Sequence, residues 1–386
     1  MSYKVVQWDA PNRLFFVTCA RGLEDVLADE LRNLSANDVQ PGRGGVHFRG
    51  DAILLYQANL WLRTAVRILF PILEAPVTSP EELYDAVRTL SWSDIMTPEH
   101  TLAIDCNVRD SNITHSHYAA LKAKDAICDW FVDEVGRRPS VDVQAPMMPL
   151  NLHIYKNQAV LSLDSSGQSL HKRGYREALH KAALNEALAA ALIQLTGWDG
   201  SIPFVDPLCG SGTLPIEAAW LALDRPPGLT RKRFAFQSWP DFDIRLWTVV
   251  RDQTRDLVKR QLSAPIVGSD QRGDVLRLAE ANARSAGIGQ HVRFERCDLR
   301  DSKPPTETPG ILLCNPPYGE RIGEEKDLIA LYRQLGEVWR DRYSGWKLFV
   351  FSGNKRLLRE VDSKPVRTIS LFNGRIPCQL VEFGDG

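Results

Sequence analysis

The sequence predicts an α/β chain of two regions: a mixed α+β region over residues 1–165 and a doubly wound, mainly parallel α/β domain over residues 166–386. Three observations predict it. From Ser201 onward, short apolar runs suited to buried parallel strands alternate with helical stretches. Before residue 165, strand-like and helix-like segments are mixed without that regularity. Between them lies Asp164–Gly174 (DSSGQSLHKRG), polar and glycine-containing as linkers are. A length of 386 residues suits two or three domains.

In chain order, Arg13–Cys19 is a short apolar strand. Leu23–Leu34 carries apolar residues at 23, 26, 27, 31 and 34, a helical stripe. Gly42–Phe48 reads as a glycine turn feeding a strand. Ile53–Leu60 suggests a helix and Arg63–Phe70 a strand. Ser116–Val132 is an amphipathic helix with Ser116 as N-cap and Ala119, Ala123, Ile127 and Trp130 on one side. Ala159–Leu163 is a strand. After the linker, helix Leu184–Leu195 is closed by Gly197. Strands are expected at Ile202–Val205, Pro265–Ser269, Val292–Glu295, Ile311–Cys314 and Lys347–Phe351, with a terminal antiparallel pair at Thr368–Phe372 and Gln379–Phe383. Residues 224–262 form a linker too long for a plain connection, which suggests a functional insertion, helical from Ile244 onward.

Composition excludes several classes. Charged residues are 25% and hydrophobic residues 44%, ordinary for a globular chain. No apolar run is long enough to span a membrane, and the first residues lack the apolar core of a signal peptide. Seven scattered cysteines without a C-x-x-C pair argue against a disulfide framework or structural zinc and suit a reducing cytoplasm. Net charge is −1, but residues 1–165 carry 15 Lys+Arg against 21 Asp+Glu (−6), and residues 166–386 carry 32 against 27 (+5). The basic half is compatible with a nucleic-acid partner without proving one.

Two clusters carry chemistry. Asp206-Pro207-Leu-Cys209-Gly210-Ser-Gly212-Thr213 joins a strand to a helix with Pro215 in its first turn. Its glycines permit close backbone approach to a ligand. A dinucleotide fingerprint would need glycine at 215. A carboxylate at 206 repels pyrophosphate and suits the ammonium of an amino acid, which points to S-adenosylmethionine. Asp270, ending the next strand, can accept both ribose hydroxyls; alone, it reads equally as a helix N-cap. Asp298, followed by Leu299, can accept the adenine amine; alone, it reads equally as a surface acid. The second cluster is Asn315-Pro316-Pro317-Tyr318 at the end of the fourth strand. The Asn315 side-chain oxygen and the Pro316 carbonyl can each accept a hydrogen from a flat exocyclic amine, with Tyr318 stacking on its base.

Other signals are weaker. His115 and His117 lack a third ligand, so no metal is expected. Cys209 and Cys314 lack a base. Arg231-Lys232-Arg233, interleaved with Phe234 and Phe236, is a solvated loop or an RNA-phosphate contact.

These clusters resemble motifs I and IV of class I S-adenosylmethionine-dependent amino-methyltransferases. With Ala20–Glu24 (ARGLE), Gly44–Gly50 (GGVHFRG), Tyr118–Ile127 (YAALKAKDAI), His171–Arg176 (HKRGYR), Glu217-Ala-Ala, Asp224–Leu229 (DRPPGL) and Asn315–Arg321 (NPPYGER), the chain resembles the RlmL-type 23S rRNA guanine-N2 methyltransferases from about residue 12 onward. The resemblance implies a ferredoxin-like and THUMP region that binds RNA, then a Rossmann-like class I methyltransferase domain. It implies Asp206, Gly210 and Gly212 around the methionine moiety, Asp270 at the ribose, Asp298 at the adenine, and Asn315, Pro316 and Tyr318 at the target base. Pro207, Cys209, Thr213 and Leu299 accompany the cofactor set, as does Asn315 at its edge toward the target base. Some relatives are fused to a second methyltransferase, an activity expected to be absent here. Relatives read Ala-Pro-(Ile/Leu)-(Lys/Arg)-Glu before the domain, whereas Ala182–Glu186 (AALNE) lacks the proline and the basic residue. In an acidic N-terminal region, RNA contact would need a local patch, taken as Lys122, Lys124, Arg137 and Arg138. The expected reaction is methyl transfer to a flipped guanine of 23S rRNA or of a large-subunit assembly intermediate. The rivals are tRNA guanine-N2 methylation and a non-catalytic RNA-binding assembly factor.

Overall fold

The computed structural model describes Trp8 and residues 11–176, 184–319 and 325–384. The N-terminal elements are β1 (Arg13–Cys19), α1 (Glu24–Asn33), β2 (Asn37–Gly42), β3 (Gly45–Gly50), α2 (Ala52–Trp61), β4 (Ala65–Pro76), α3 (Pro80–Arg88), β5 (Thr101–Arg109), α4 (Ser116–Val135), β6 (Ser140–Val141), β7 (Met148–Tyr155) and β8 (Gln158–Asp164). They build one mixed sheet in the order β2-β3-β1-β4-β8-β7-β5-β6. The long β4 joins its halves, pairing antiparallel with β1 on one side and β8 on the other. Its Pro71 falls where the register with β8 shifts, a place where a missing amide donor costs no ladder bond. Helix α4 starts at Ser116, so His115, not Ser116, occupies the N-cap, and no side-chain cap bond forms there.

The second region comprises α5 (Glu186–Leu195), β9 (Phe204–Asp206), α6 (Thr213–Ala222), α7 (Ile244–Asp256), β10 (Ile266–Asp270), α8 (Gly273–Ser285), β11 (Val292–Arg296), β12 (Ile311–Cys314), α9 (Glu325–Arg342), β13 (Lys347–Ser352), α10 (Lys355–Arg359), β14 (Lys364–Asn373) and β15 (Ile376–Gly384). Its sheet runs β11-β10-β9-β12-β13-β15-β14. Strands β9 to β13 are parallel, and β15 runs against both of its neighbours. The terminal hairpin thus extends the same sheet. Strand order reverses between β9 and β12, and crevices at such switch points take ligands. The residues that leave those two strand ends are Asp206–Thr213 and Asn315–Tyr318.

The insertion packs on the N-terminal region. Phe234, Phe236, Trp239 and Trp247 share a buried core with Phe15, Tyr56 and Phe70. Phe236 lies 4.7 Å from the Tyr56 ring, and Arg13 pairs with Asp241 at 2.6 Å. This corrects the picture of aromatics interleaved with Arg231–Arg233 for RNA stacking, because Phe234 and Phe236 are only 2% and 1% exposed. A buried polar joint also links the regions. Glu30 accepts from Gln194 at 2.6 Å and from Thr64 at 2.9 Å, and Arg173, paired with Glu217 of α6 at 3.5 Å, donates across the joint to the Arg63 carbonyl. Breaking one partner of such a pair leaves an uncompensated buried charge.

Candidate functional site

The turn after β9 is set by glycine. Gly212 has φ +81°, and an added Cβ would meet Ala279 and the Phe294 ring at 3.0 Å. It forms the N-cap of α6, so the free amides at that helix start face the crevice. Asp206, 2% exposed at the end of β9, accepts from the Leu208 amide at 3.1 Å. Burial, opposed weakly by that bond and assisted by the charge of Asp270, pushes its carboxyl up to about 8. A buried carboxylate with one weak partner is completed by a cation.

The cavity here has a volume of about 200 Å³ and is walled by Asp206, Cys209, Gly210, Thr213, Arg272 and Asn315, among others. The Asn315 Oδ1 is buried and has no hydrogen-bond partner among the described residues. A buried acceptor left unpaired costs about 1–3 kcal/mol and is expected to be met by a ligand. A carboxylate for an ammonium, glycine amides at a helix start and an orphan carbonyl together fit a zwitterionic amino-acid end beside an amine-bearing substrate.

The remaining expected residues are less uniform. Asp270 accepts from the Gly210 amide at 3.1 Å and the Arg272 amide at 2.9 Å, tying the first loop to the start of α8. Each oxygen keeps a second lone pair for a ligand hydroxyl. Asp298 is gripped by Arg300, both guanidinium bonds at 3.1 Å, which together with the Arg300 amide holds its carboxyl at about 2. Pro207 is buried, and Leu299 belongs to the core with Val205, Val267 and Leu312. Thr213 accepts from Arg176 at 3.1 Å. Burial raises the Cys209 and Cys314 thiols well above the ordinary range, so neither supplies a nucleophile.

In the divergent Ala182–Glu186 segment, Ala182 and Ala183 lie outside the described residues, as do Glu320 and Arg321. Leu184 lines the cavity. Asn185, standing where relatives carry a basic residue, caps α5 through the Ala187 and Leu188 amides. Arg176 pairs with Glu186 at 3.1 Å and donates to the Leu184 carbonyl. The guanidinium at this edge therefore comes from the preceding motif.

Tyr318 is half-buried next to this cavity. Its hydroxyl accepts from Asn373 at 2.9 Å and from the Cys378 thiol at 3.8 Å. Its ring lies on Gly353, where a Cβ would stand 2.8 Å from the ring. Neither Asn373 nor Gly353 was expected from sequence: they lie 55 and 35 residues away, and no local pattern marks them.

The expected RNA patch divides. Lys124 lines a groove of about 880 Å³ with Arg67, Lys172 and Arg233, between the N-terminal sheet and the linker. Lys122 lies over the exposed Tyr118 ring. Arg137 and Arg138 follow the other end of α4, about 20 Å away at 1.5 Å per residue. There Arg137 is paired with Glu99. Arg231 is half-buried against the Gln168 carbonyl, and Lys232 and Arg233 are exposed. Among the described residues no cluster could hold a metal ion, His115 and His117 included, and no helix is long and apolar enough to cross a membrane.

Residues 173–382 match the family described as "RMKL-like, methyltransferase domain", more than half of the chain. The chain belongs to this RlmL-like methyltransferase family. Residues 14–69 match the RlmL ferredoxin-like domain, and residues 77–164 the THUMP domain. A Synechocystis protein named provisionally as an RNA methyltransferase is 41% identical, covering 97% of this chain and 98% of its own length. The ribosomal RNA large subunit methyltransferase K/L of Syntrophotalea carbinolica is 43% identical over 97% of this chain, which spans 54% of that relative's length. The crystal structure of SMU.472, solved with SAH, superposes with a TM-score of 0.89 at 32% identity, covering 98% of this chain and 99% of that one. The N-terminal region is thus ferredoxin-like and THUMP, and the second a class I methyltransferase domain.

Proposed function

We propose that the chain transfers a methyl group from S-adenosylmethionine to the exocyclic N2 amine of a guanine in 23S rRNA, with that guanine flipped into the Asn315–Tyr318 site. The observation that carries this reading is the buried, unpartnered Asn315 Oδ1 in a cavity it shares with Asp206. Asp206, Gly210, Gly212 and Thr213 would hold the amino-acid end of the cofactor, and Asp270 its ribose. Asp298 would reach the adenine amine only through a lone pair left by Arg300. When bound, the cofactor supplies an electrophilic methyl on a sulfonium.

The chain's own residues position the acceptor. Asn315 Oδ1 and the Pro316 carbonyl each accept one N–H of the amine, which leaves its lone pair to point along the attack direction. Tyr318, held by Asn373 and backed by Gly353, is the floor on which the base stacks. An amine is neutral at working pH, so no strong base is needed before attack; the proton leaves to water afterwards. Proximity and orientation carry most of the acceleration. The groove with Lys124, Arg67, Lys172 and Arg233, with Lys122 near it, supports RNA contact on the THUMP side.

Asn315→Ala tests the assignment. Turnover is expected to fall at least about 100-fold, the scale for losing a positioned polar contact to the reacting group. Cofactor affinity should stay within about threefold. Turnover close to wild type would refute the role of Asn315.

A further inference from the structure

A second basic groove, of about 720 Å³, lies between the β14–β15 hairpin and helices α9 and α10. Its cations are Arg340, Lys355, Arg359 and Lys364, against one carboxylate, Asp362, a local charge of 4 − 1 = +3. The whole chain is −1. Nearby acids outside the groove are already neutralised: Glu360 by Arg333 at 2.8 Å and Glu382 by Arg367 at 3.2 Å. Arg340 is fixed by the Val361 and Asp362 carbonyls and the Ser363 hydroxyl. Lys355, Arg359 and Lys364 are exposed and have no ion pair among the described residues.

The groove begins beside the acceptor site. Gln379, which lines it, pairs with Ser352 at the end of β13. The next residue, Gly353, bears on the Tyr318 ring, and Lys355 follows two positions later. From Gln379 the groove follows β15 to Phe383, four residues or about 14 Å. Its floor, Leu358, Val381 and Phe383, is 3–6% exposed, which leaves little apolar surface to hold a protein partner.

We propose that this face is a track for the RNA backbone flanking the target nucleotide, with Lys355, Arg359 and Lys364 each meeting a phosphate. The inference rests on the reading that the Tyr318 site takes an RNA base. Flipping a nucleotide requires a grip on its neighbours' phosphates, and the THUMP-side groove lies on the other region of the molecule. Exposed lysines meet phosphates as point charges, and an arginine among them meets one through its planar fork.

The test compares the full chain with the triple variant Lys355→Ala/Arg359→Ala/Lys364→Ala. The control, Arg277→Ala/Arg284→Ala/Arg293→Ala, removes the same charge from the opposite sheet edge. Binding of labelled fragments of deproteinised 23S rRNA is measured across a KCl series in the presence of S-adenosylhomocysteine. Each lost phosphate contact lowers the slope of log K against log salt by about 0.7 on a single strand. The track variant should lose about 2 in slope and at least tenfold in affinity, with melting temperature and cofactor binding preserved. An unchanged slope, or an equal loss in the control, overturns the proposal, as does loss of an acidic protein ligand with RNA binding intact. Failure of the guanine assignment would show separately, as wild-type label on another base, while the slope still decides the groove.

Discussion

If Asp206 holds the cofactor ammonium as proposed, cofactor binding should depend on pH by a definite amount. The Asp206 carboxyl is pushed up to about 8, chiefly by burial. At pH 7 it is then ionised in about one molecule in eleven, and ionising the rest costs about 1.4 kcal/mol. A ligand ammonium needs the ionised form, so binding at pH 7 should release about 0.9 proton. Between pH 5.5 and 7.5 the affinity should rise about tenfold per pH unit; above that an α-ammonium itself begins to titrate. The assay is calorimetric titration of S-adenosylhomocysteine in buffers of different ionisation enthalpy. Asp206→Asn should bind more weakly and lose the slope. Stability moves the other way. The folded value lies above the unfolded 3.8, so this group's contribution is complete below about pH 4 and is lost as pH rises through about 8. The empty Asp206→Asn variant should therefore melt higher than wild type at pH 7, by up to roughly 4 kcal/mol in stability. A flat affinity profile, or a less stable empty variant, would refute the reasoning.

Gly212→Ala puts a Cβ 3.0 Å from Ala279 and Phe294 at a left-handed φ, so cofactor affinity should fall more than tenfold in the same titration. Tyr318→Phe and Asn373→Ala each break the 2.9 Å bond that holds the ring proposed to stack on the base. Each should raise the KM for RNA and lower kcat severalfold, and the double variant should be no worse than either single, a non-additivity read from steady-state kinetics. Phe236→Ala empties a ring site packed on Tyr56 and Trp247. It should cost about 3–5 kcal/mol in denaturant melts while leaving cofactor affinity nearly unchanged.

Buried strands were the most legible elements. β9, β10, β12 and β13 are short apolar runs buried along most of their length, and expectation and structure agree to within two residues. Edges were not. β2 is exposed along nearly its whole length, and β14 begins four residues earlier than expected, because Lys364 and Arg367 carry no burial signal. β5 and β7 pair in parallel across α4, a long-range contact that their polar-mixed sequences do not announce. Asp206, Gly210 and Asn315 line one cavity, and sequence could group them because each lies at or just beyond a strand end within a dense local motif. Asn373, Gly353 and Arg176 act on motif residues from a distance in sequence, so only the fold reveals them. The insertion misled because Phe234 and Phe236 beside basic residues look the same whether they stack on a base or on Tyr56.

The proposed reaction is methyl transfer to a guanine amine of 23S rRNA. Its most direct test incubates the protein and tritiated S-adenosylmethionine separately with deproteinised 23S rRNA, 16S rRNA and tRNA from cells lacking the enzyme, then identifies the labelled nucleoside. The expected label is N2-methylguanosine from 23S rRNA, lost in Asn315→Ala. Label confined to tRNA, or on any nucleoside other than N2-methylguanosine, would contradict it.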